Sequence, residues 1–306
     1  MKLKPSNQLE LFIHGNELKK LISLYQKDKL PNKILLKGQK GIGKSTLAYH
    51  LINFVLSKNE DFPYDIDHSK IDQKNRSFKL INNGSSPNFL LIDTQADKKN
   101  INIDQIRNII QNLNKSSLNN KPKFVLIDNS DQLNNNSINA LLKVIEEPND
   151  NIYFILIQNQ KTLLSTLTSR FIKFNINLNN KESIFVINKL ISEDIHDSVN
   201  SDFINYYFSP GNIYRMKQFC DENNIDLKNI ELKNFIDILI QNNHIKKQKD
   251  LRYIFYEVIE CLLKKKSILF NMDYYNYFVK KIEKINEFNL DEESFFIELN
   301  DKILNG

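Results

Sequence analysis

The sequence predicts an α/β fold in which a parallel sheet is followed by purely helical regions, and three observations support this prediction. Between residues 34 and 157, short apolar runs alternate with longer segments of helical periodicity, which favours a parallel sheet with helices on both faces. The apolar runs are nearly continuous, as strands buried on both faces require. Beyond about residue 176, only helical periodicity is apparent in the sequence.

Individual elements can be placed from these patterns. The predicted strands cover residues 34–36, 89–92, 124–127 and 153–157, and the predicted helices cover residues 46–56, 103–113 and 137–147. Pro148 ends the third helix because proline cannot continue helical hydrogen bonding. The polar segment 59–86 is predicted to be mainly loop, with a short helix that cannot be placed. Residues 181–221 are predicted as short helices interrupted at 209–211, and longer helices are predicted from about residue 226 onward.

Length, composition and net charge limit the number of domains and the kinds of partner that the chain can have. With 306 residues, of which 41% are hydrophobic and 26% charged, the chain is long enough for two or three globular domains. Its formal net charge of +5, from 42 basic and 37 acidic residues, permits nucleic-acid contact but does not demand it. We therefore interpret the basic cluster 264–266 as a solvated helix face, and the aromatic cluster 274–278 as core or subunit interface.

Cysteine usage and the absence of long apolar runs predict the compartment. Cys220 and Cys261 are far apart and lack Cys-x-x-Cys spacing, so neither a disulfide framework nor a zinc site is expected. The first residues lack the apolar segment of a signal peptide, and no run approaches the roughly 18 apolar residues of a membrane helix. These features predict a cytoplasmic protein with no membrane partner.

The most specific signal is a phosphate-binding loop, or P-loop, between a predicted strand and a predicted helix. Residues 38–45 read Gly-Gln-Lys-Gly-Ile-Gly-Lys-Ser and match G-x-x-x-x-G-K-[ST] at every fixed position. The glycines let successive backbone N–H groups surround phosphate oxygens, and the helix N-terminus favours negative charge. The residues predicted to bind ATP and Mg²⁺ here are Gly38, Gly41, Gly43, Lys44, Ser45 and Thr46. Lys44 would neutralise the β- and γ-phosphates and Ser45 would bind the metal. An ordinary glycine-rich turn is the alternative.

A P-loop protein also needs an acidic residue at the end of another strand to help hold Mg²⁺. Asp128 follows the predicted strand 124–127 and is predicted to fill this role, the alternative being a polar residue that only ends the strand. Many ATPases place a glutamate directly after this aspartate to activate water, but Asn129 cannot accept a proton. Asp131 is predicted to point elsewhere. We therefore expect nucleotide binding without efficient hydrolysis.

Two segments from residue 124 onward resemble clamp-loader subunits of the AAA+ family, in particular the delta-prime subunits of bacterial DNA polymerase III. Residues 126–133 read LIDNSDQL, and residues 139–148 read NALLKVIEEP, similar to the helix that follows the acidic strand in that family. Further segments that resemble delta-prime chains are 11–17, 30–33 and 103–107. The resemblance covers about residues 8–220, and the remainder is similar only in being helical.

The resemblance implies roles for three further residues. Asn159 falls at the position of the sensor-1 polar residue, and Arg215, which follows Gly211 by one helical turn, resembles the sensor-2 arginine. Arg170 lies in Thr-Ser-Arg-Phe, similar to the family's S-R-C motif, whose arginine acts on the ATP of a neighbouring subunit as an arginine finger. An exposed cation without a catalytic role is the alternative for Arg170.

The resemblance also implies an architecture and a set of partners. It implies a P-loop AAA+ domain over residues 1–176, a small helical lid over 177–222, and an all-α collar domain over 223–306 that joins subunits into a ring. The expected partners are other clamp-loader subunits, then the sliding clamp, and then primer–template DNA through its phosphates during clamp loading in replication.

Two departures from the family pattern favour the delta-prime role. Many bacterial clamp-loader subunits carry a four-cysteine zinc module after the P-loop helix, which this sequence lacks, and Asn129 argues against autonomous hydrolysis. A delta-prime subunit would bind ATP and supply Arg170 in trans. Some delta-prime chains have lost the P-loop, whereas this chain keeps it. The alternatives are an autonomous gamma/tau-like ATPase motor, and a P-loop small-molecule kinase that would explain neither Arg170 nor the helix 139–148.

Overall fold

The computed structural model divides the chain into two compact units, Met1–Asn179 and Asn180–Gly306. The described residues are 4–94, 100–113, 121–147, 151–159, 163–204, 206, 208–241, 249–267, 272–288, 293–299 and 301–302. Pro148, the predicted end of a helix, lies outside them. The predicted three-domain division, with boundaries after residues 176 and 222, stays a prediction.

The first unit contains a five-stranded sheet in the order β2-β3-β4-β1-β5, in which every pair of neighbours is parallel. The strands are β1 (Lys33–Lys37), β2 (Phe89–Ile92), β3 (Lys123–Ile127), β4 (Ile152–Gln158) and β5 (Ile172–Asn175). The α/β fold with a parallel sheet is thus confirmed. Sequence analysis missed β5, an edge strand of four mostly exposed residues that does not form the continuous apolar run of a central strand.

Six α-helices accompany this sheet in the part of the first unit that the structure describes. They are α1 (Gly15–Gln26), α2 (Lys44–Ser57), α3 (Arg76–Asn82), α4 (Ile103–Leu113), α5 (Asn135–Glu146) and α6 (Ser165–Thr168). The polar segment 59–86 contains α3, the helix that the sequence pattern could not place. Asn75 caps it, because its side-chain Oδ1 accepts a hydrogen bond from the Phe78 backbone N–H at 2.7 Å.

Alternation along the strands creates two apolar clusters, one on each face of the sheet. Ile34 and Leu36 of β1 belong to the cluster that contains α1 and α2, whereas Leu35 belongs to the cluster that contains α4 and α5. Because both faces are covered, the central strands consist almost entirely of buried apolar residues. The sheet therefore forms a rigid support whose strand ends can carry polar residues.

The second unit is helical throughout its described residues, as predicted. Its helices are α7 (Asn180–Ile191), α8 (Ile195–Ser198), α9 (Ser201–Ile204), α10 (Pro210–Glu222), α11 (Leu232–Gln241), α12 (Lys249–Ser267), α13 (Met272–Phe288) and α14 (Glu293–Leu299). One apolar cluster joins them, with Phe203, Phe235, Phe255, Phe278 and Phe295 fully buried. Phe278 of the predicted aromatic cluster is thus core. Among the described helices, none combines the length and apolar character needed to cross a membrane.

Candidate nucleotide-binding site

The P-loop connects β1 to α2 at the carboxyl edge of the sheet. Gly41 has φ 86° and Gly43 has φ 94°, both in the left-handed region that glycine adopts without steric cost. Gly38 is required by packing as well, since a Cβ there would lie 2.1 Å from the carbonyl oxygen of Ile176. The loop ends at Gly43, and Lys44 begins α2, so the helix N-terminus adjoins the loop as the motif predicts.

Lys44 is almost completely buried, with 3% of its surface exposed. Its Nζ donates hydrogen bonds to two carbonyl oxygens of the loop, Gly38 O at 2.8 Å and Gln39 O at 2.5 Å. Burial lowers the pKa of Lys44 to about 8, and the negative charges of Asp128 and Asp131 oppose this shift. The group stays mostly protonated at neutral pH and is held within the loop that supplies the backbone donors.

Ser45 and Asp128 are brought together from distant parts of the sequence. The Ser45 hydroxyl Oγ donates to Asp128 Oδ2 at 2.6 Å, and Asp128 Oδ1 accepts from the Asn129 backbone N–H at 2.8 Å. Burial raises the pKa of Asp128 and the charge of Asp93 raises it further, while the bond from Ser45 opposes both. A hydroxyl and a carboxylate side by side are the oxygen ligands that Mg²⁺ prefers. The residues present therefore fit a magnesium–nucleotide complex, with Thr46 in the first turn of α2 beside them.

A chain of polar side chains crosses the carboxyl ends of β2, β3 and β4. Asn129, which has φ 50°, donates from Nδ2 to Asp93 Oδ1 at 2.8 Å. Asn159 donates from Nδ2 to Asn129 Oδ1 at 3.0 Å and, more weakly, to Asp131 Oδ1 at 3.4 Å. The expectation that Asp131 points elsewhere is wrong, because it lies in the 3-10 helix Ser130–Gln132 and also accepts from the Asn159 backbone N–H at 3.3 Å.

Two residues of this site, Asp93 and His14, are not predicted by the sequence patterns. Asp93 directly follows β2 just as Asp128 directly follows β3, so the rule that parallel strands end at one edge could have identified it. His14 is the second, with 4% exposure, φ 68° and a hydrogen bond of 2.7 Å between its Nε2 and Ile42 O in the P-loop. No local sequence pattern marks His14, because only the fold brings it to the P-loop.

Arg170 lies at the surface, two residues after α6. The exposed fraction of its side chain is 38%, and its Nη2 forms an ion pair with Glu146 Oε1 of α5 at 2.5 Å. Its Nη1 donates to Thr166 O at 2.5 Å. Both partners lie on the same surface of the first unit and neither belongs to the P-loop. The guanidinium group is therefore partly exposed to solvent.

Arg215 lies in the second unit on α10, whose first residue is Pro210. Its Nη1 atom is buried and has no hydrogen-bond partner among the described residues, and the same holds for Ser209 Oγ and Asn212 Oδ1 at the start of this helix. The Asn212 Nδ2 donates to Glu257 Oε2 of α12 at 2.6 Å. The beginning of α10 thus contains buried polar atoms that none of the described residues pairs with.

The fold and this site define a P-loop protein with a parallel α/β sheet. The family model described as "DNA polymerase III, delta subunit" matches residues 13–180, more than half of the chain, and the chain belongs to that family. The match begins just before His14 and ends at the first residue of α7, so it includes the P-loop, Asp93, Asp128, Asn159 and Arg170.

Individual relatives agree with the family assignment. The chain is 26% identical over 282 residues to DNA polymerase III subunit delta' of Buchnera aphidicola (Schizaphis graminum), covering 87% of this chain and 83% of the relative. It is 26% identical over 155 residues to subunit delta' of Escherichia coli K12, covering 50% of this chain and 45% of the relative, so that match spans less than half of the E. coli protein. DNA polymerase III subunit gamma of the same Buchnera is 28% identical to the chain over 204 residues, which cover 64% of this chain and 54% of the relative. The predicted resemblance to delta-prime chains is confirmed.

Proposed function

We propose that this chain is a delta-prime-like subunit of a DNA polymerase III clamp loader, which binds ATP and supplies Arg170 to the ATP site of a neighbouring subunit. The observation that carries the proposal is the pairing of Ser45 with Asp128 beside a complete P-loop, in a chain that belongs to this family. Such a subunit takes part in loading the sliding clamp onto primed DNA during replication.

The nucleotide would be held by groups that the fold has already placed. Backbone N–H groups between Gly38 and Gly43 would bind phosphate oxygens, and Lys44 would exchange its two loop carbonyls for phosphate oxygens. Ser45 and Asp128 would hold Mg²⁺, which when bound neutralises phosphate charge. Thr46 would add its backbone N–H at the start of α2.

Weak autonomous hydrolysis follows from the residue after Asp128. Asn129 has no group that can take a proton from water, and both ends of its amide are hydrogen-bonded within the protein. We therefore assign catalysis mainly to the neighbour's site, where Arg170 would stabilise transition-state charge. Asn159, which occupies the sensor-1 position beside the P-loop, and Arg215 as sensor 2 belong to the same proposal. The Nη1 atom of Arg215 supports the second assignment, because it is buried, has no hydrogen-bond partner among the described residues, and a buried polar group needs a partner.

The proposed partners follow from the same assignment. Other clamp-loader subunits would contact this chain directly in a hetero-oligomeric ring, and the sliding clamp and primer–template DNA would be bound within the complex. The proposed location is the cytoplasm, where replication takes place in bacteria. The similarity to a gamma subunit supports one alternative, an autonomous gamma/tau-like motor.

The test is the steady-state ATPase rate of the full chain, alone and mixed with the cognate motor subunit, with Arg170→Ala beside it. We expect the chain alone to be nearly inactive and the mixture to be active. Arg170→Ala should lower the rate of the mixture by roughly 10³-fold if a full arginine finger is lost. Arg107→Ala is a matched control, because Arg107 is also exposed and paired, with Asp104 at 3.5 Å.

The result distinguishes the delta-prime role from that of a gamma/tau-like motor. An unchanged rate with Arg107→Ala and a large loss with Arg170→Ala would support the delta-prime role. Brisk turnover by the chain alone, together with no effect of Arg170→Ala in the mixture, would show that the gamma/tau-like motor is the correct assignment.

A further inference from the structure

In the row of hydrogen-bonded side chains Asp93, Asn129 and Asn159, the donor and the acceptor of each hydrogen bond are determined by Asp93 at one end. A carboxylate only accepts hydrogen bonds, so Asn129 must turn its NH₂ group toward Asp93 Oδ1, at 2.8 Å. This orientation leaves the Asn129 carbonyl oxygen facing Asn159, whose NH₂ group must then turn toward it, at 3.0 Å. Asp93 thereby fixes the amide orientation of Asn129 and, through Asn129, contributes to that of Asn159, which Asp131 orients as well.

The Asn159 amide nitrogen also has a second internal acceptor. Asp131 Oδ1 lies 3.4 Å from Asn159 Nδ2 and 3.3 Å from the Asn159 backbone nitrogen. Asn129 Oδ1 and, more weakly, Asp131 Oδ1 thus both accept from Asn159 Nδ2, so the side-chain NH₂ group is directed toward the protein. The side-chain group of Asn159 that is not used in these contacts is its carbonyl oxygen, which only accepts hydrogen bonds and therefore repels a phosphate oxygen.

Asn159 nevertheless lies next to the phosphate-binding loop. It directly follows β4, the neighbour of β1 in the sheet, and Gln158 O accepts from the backbone N–H of Gly38, the first residue of the loop, at 3.3 Å. Asp131, which Asn159 contacts, lies close enough to Lys44 to influence its pKa. A donor at this position would face the terminal phosphates, since Lys44 of the motif reaches the β- and γ-phosphates.

We propose that Asp93 and Asn129 are positioning residues that keep the Asn159 donors inside the protein, so that the γ-phosphate of ATP gains no hydrogen bond from Asn159 and ADP binds nearly as well as ATP. This inference rests on the proposed nucleotide binding and deepens it. The polar chain would thereby control the preference of the site for ATP over ADP. The subunit would keep its nucleotide through the cycle instead of responding strongly to loss of the γ-phosphate.

The decisive measurement is equilibrium binding of ATP and ADP, each with Mg²⁺, to the full chain by titration calorimetry. The variant is Asn129→Gly, which removes the amide without placing a Cβ in the left-handed backbone at φ 50°. It leaves the net charge unchanged. We expect the ratio of the ADP to the ATP dissociation constant to rise about tenfold, the effect of one hydrogen bond to a charged group.

A second variant, Asp93→Ala, and a second background, Asn159→Ala, test whether the change in nucleotide preference depends on Asn159. Asp93→Ala should raise the same ratio, since Asn129 would no longer be held in its present orientation. Because this change also removes a negative charge, both variants are repeated in an Asn159→Ala background, where the ratio should stay at the value of Asn159→Ala alone. Circular dichroism confirms that each variant is folded.

Each outcome has a distinct meaning. Nucleotide binding by the wild type, with a ratio that neither variant changes, overturns the inference and leaves the proposed function standing. A rise that persists in the Asn159→Ala background overturns it as well, because Asn159 would then not be the donor. No binding of either nucleotide to the wild-type chain overturns the proposed function and the inference together.

Discussion

Lys44 and Arg170 are both cations with proposed roles in nucleotide chemistry, yet the structure places them in opposite environments. Lys44 is 3% exposed and bonded to two carbonyls of its own loop, in a site where Asp128 and Ser45 are already in contact. Arg170 and its partner Glu146 have side chains that are 38% and 54% exposed. A buried cation is fixed by its own chain, whereas an exposed ion pair can exchange its partner at little cost. The first arrangement suits binding in cis and the second suits action in trans.

The strongest way to test this contrast is to remove the buried cation. Lys44→Ala should weaken Mg²⁺–ATP binding by about 100-fold, because hydrogen bonds to a charged phosphate are lost. Lys19→Ala is the control, since Lys19 is exposed on α1 and should leave the affinity unchanged. Titration calorimetry of the two variants measures both effects. Equal affinity in Lys44→Ala and wild type would show that the loop does not bind phosphate.

A second buried group of the P-loop helix, His50, should make the free energy of unfolding depend on pH. His50 of α2 contacts Tyr64 OH at 2.8 Å and Gln8 O at 3.1 Å, and burial lowers its pKa from 6.5 to about 4. Between pH 6.5 and 4 the unfolded chain binds more protons at this residue than the folded chain, so the free energy of unfolding should fall as pH falls. The loss reaches about 3 kcal/mol when both states are protonated.

Urea unfolding at several pH values measures this effect as the slope of the free energy of unfolding between pH 4 and 6.5. His50→Gln should flatten the same slope. An identical slope in His50→Gln and wild type would place the acid sensitivity elsewhere in the chain.

The smallest effect is expected at the exposed ion pair. Glu146→Gln removes the charge opposite Arg170 and should change the free energy of unfolding by less than about 1 kcal/mol, the usual range of a surface pair. Chemical denaturation of the variant checks this value. If the free energy of unfolding fell by several kcal/mol, the ion pair between Arg170 and Glu146 would be needed to hold the segment after α6 against α5. That result would weaken the case for action of Arg170 in trans.

Sequence patterns identified the central strands and the P-loop because these signals are local. The runs at 34–36, 124–127 and 153–157 lie within the central strands β1, β3 and β4, since a strand buried on both faces must be apolar along its length. The run at 89–92 is the edge strand β2, which is apolar in sequence although Leu91 is 47% exposed. The other edge strand, β5, alternates apolar and polar residues as Ile-Lys-Phe-Asn, so it carried no continuous apolar run. Helix α3 was not placed for a similar reason, because it has only seven residues in a polar segment.

The sequence by itself determined that this chain has a phosphate-binding loop, an acidic residue after a later strand and an asparagine where hydrolysis would need a carboxylate. Only the tertiary structure decided that Asp93 and Asp131 join the site, that His14 lies against the P-loop, and that the Asn159 amide donates inward. The physical reason is that residue types follow from the chain, whereas the direction of a hydrogen bond depends on which acceptors the fold brings within 3 Å or so. Distant strand ends meet at one edge of a parallel sheet, and no local pattern records that meeting.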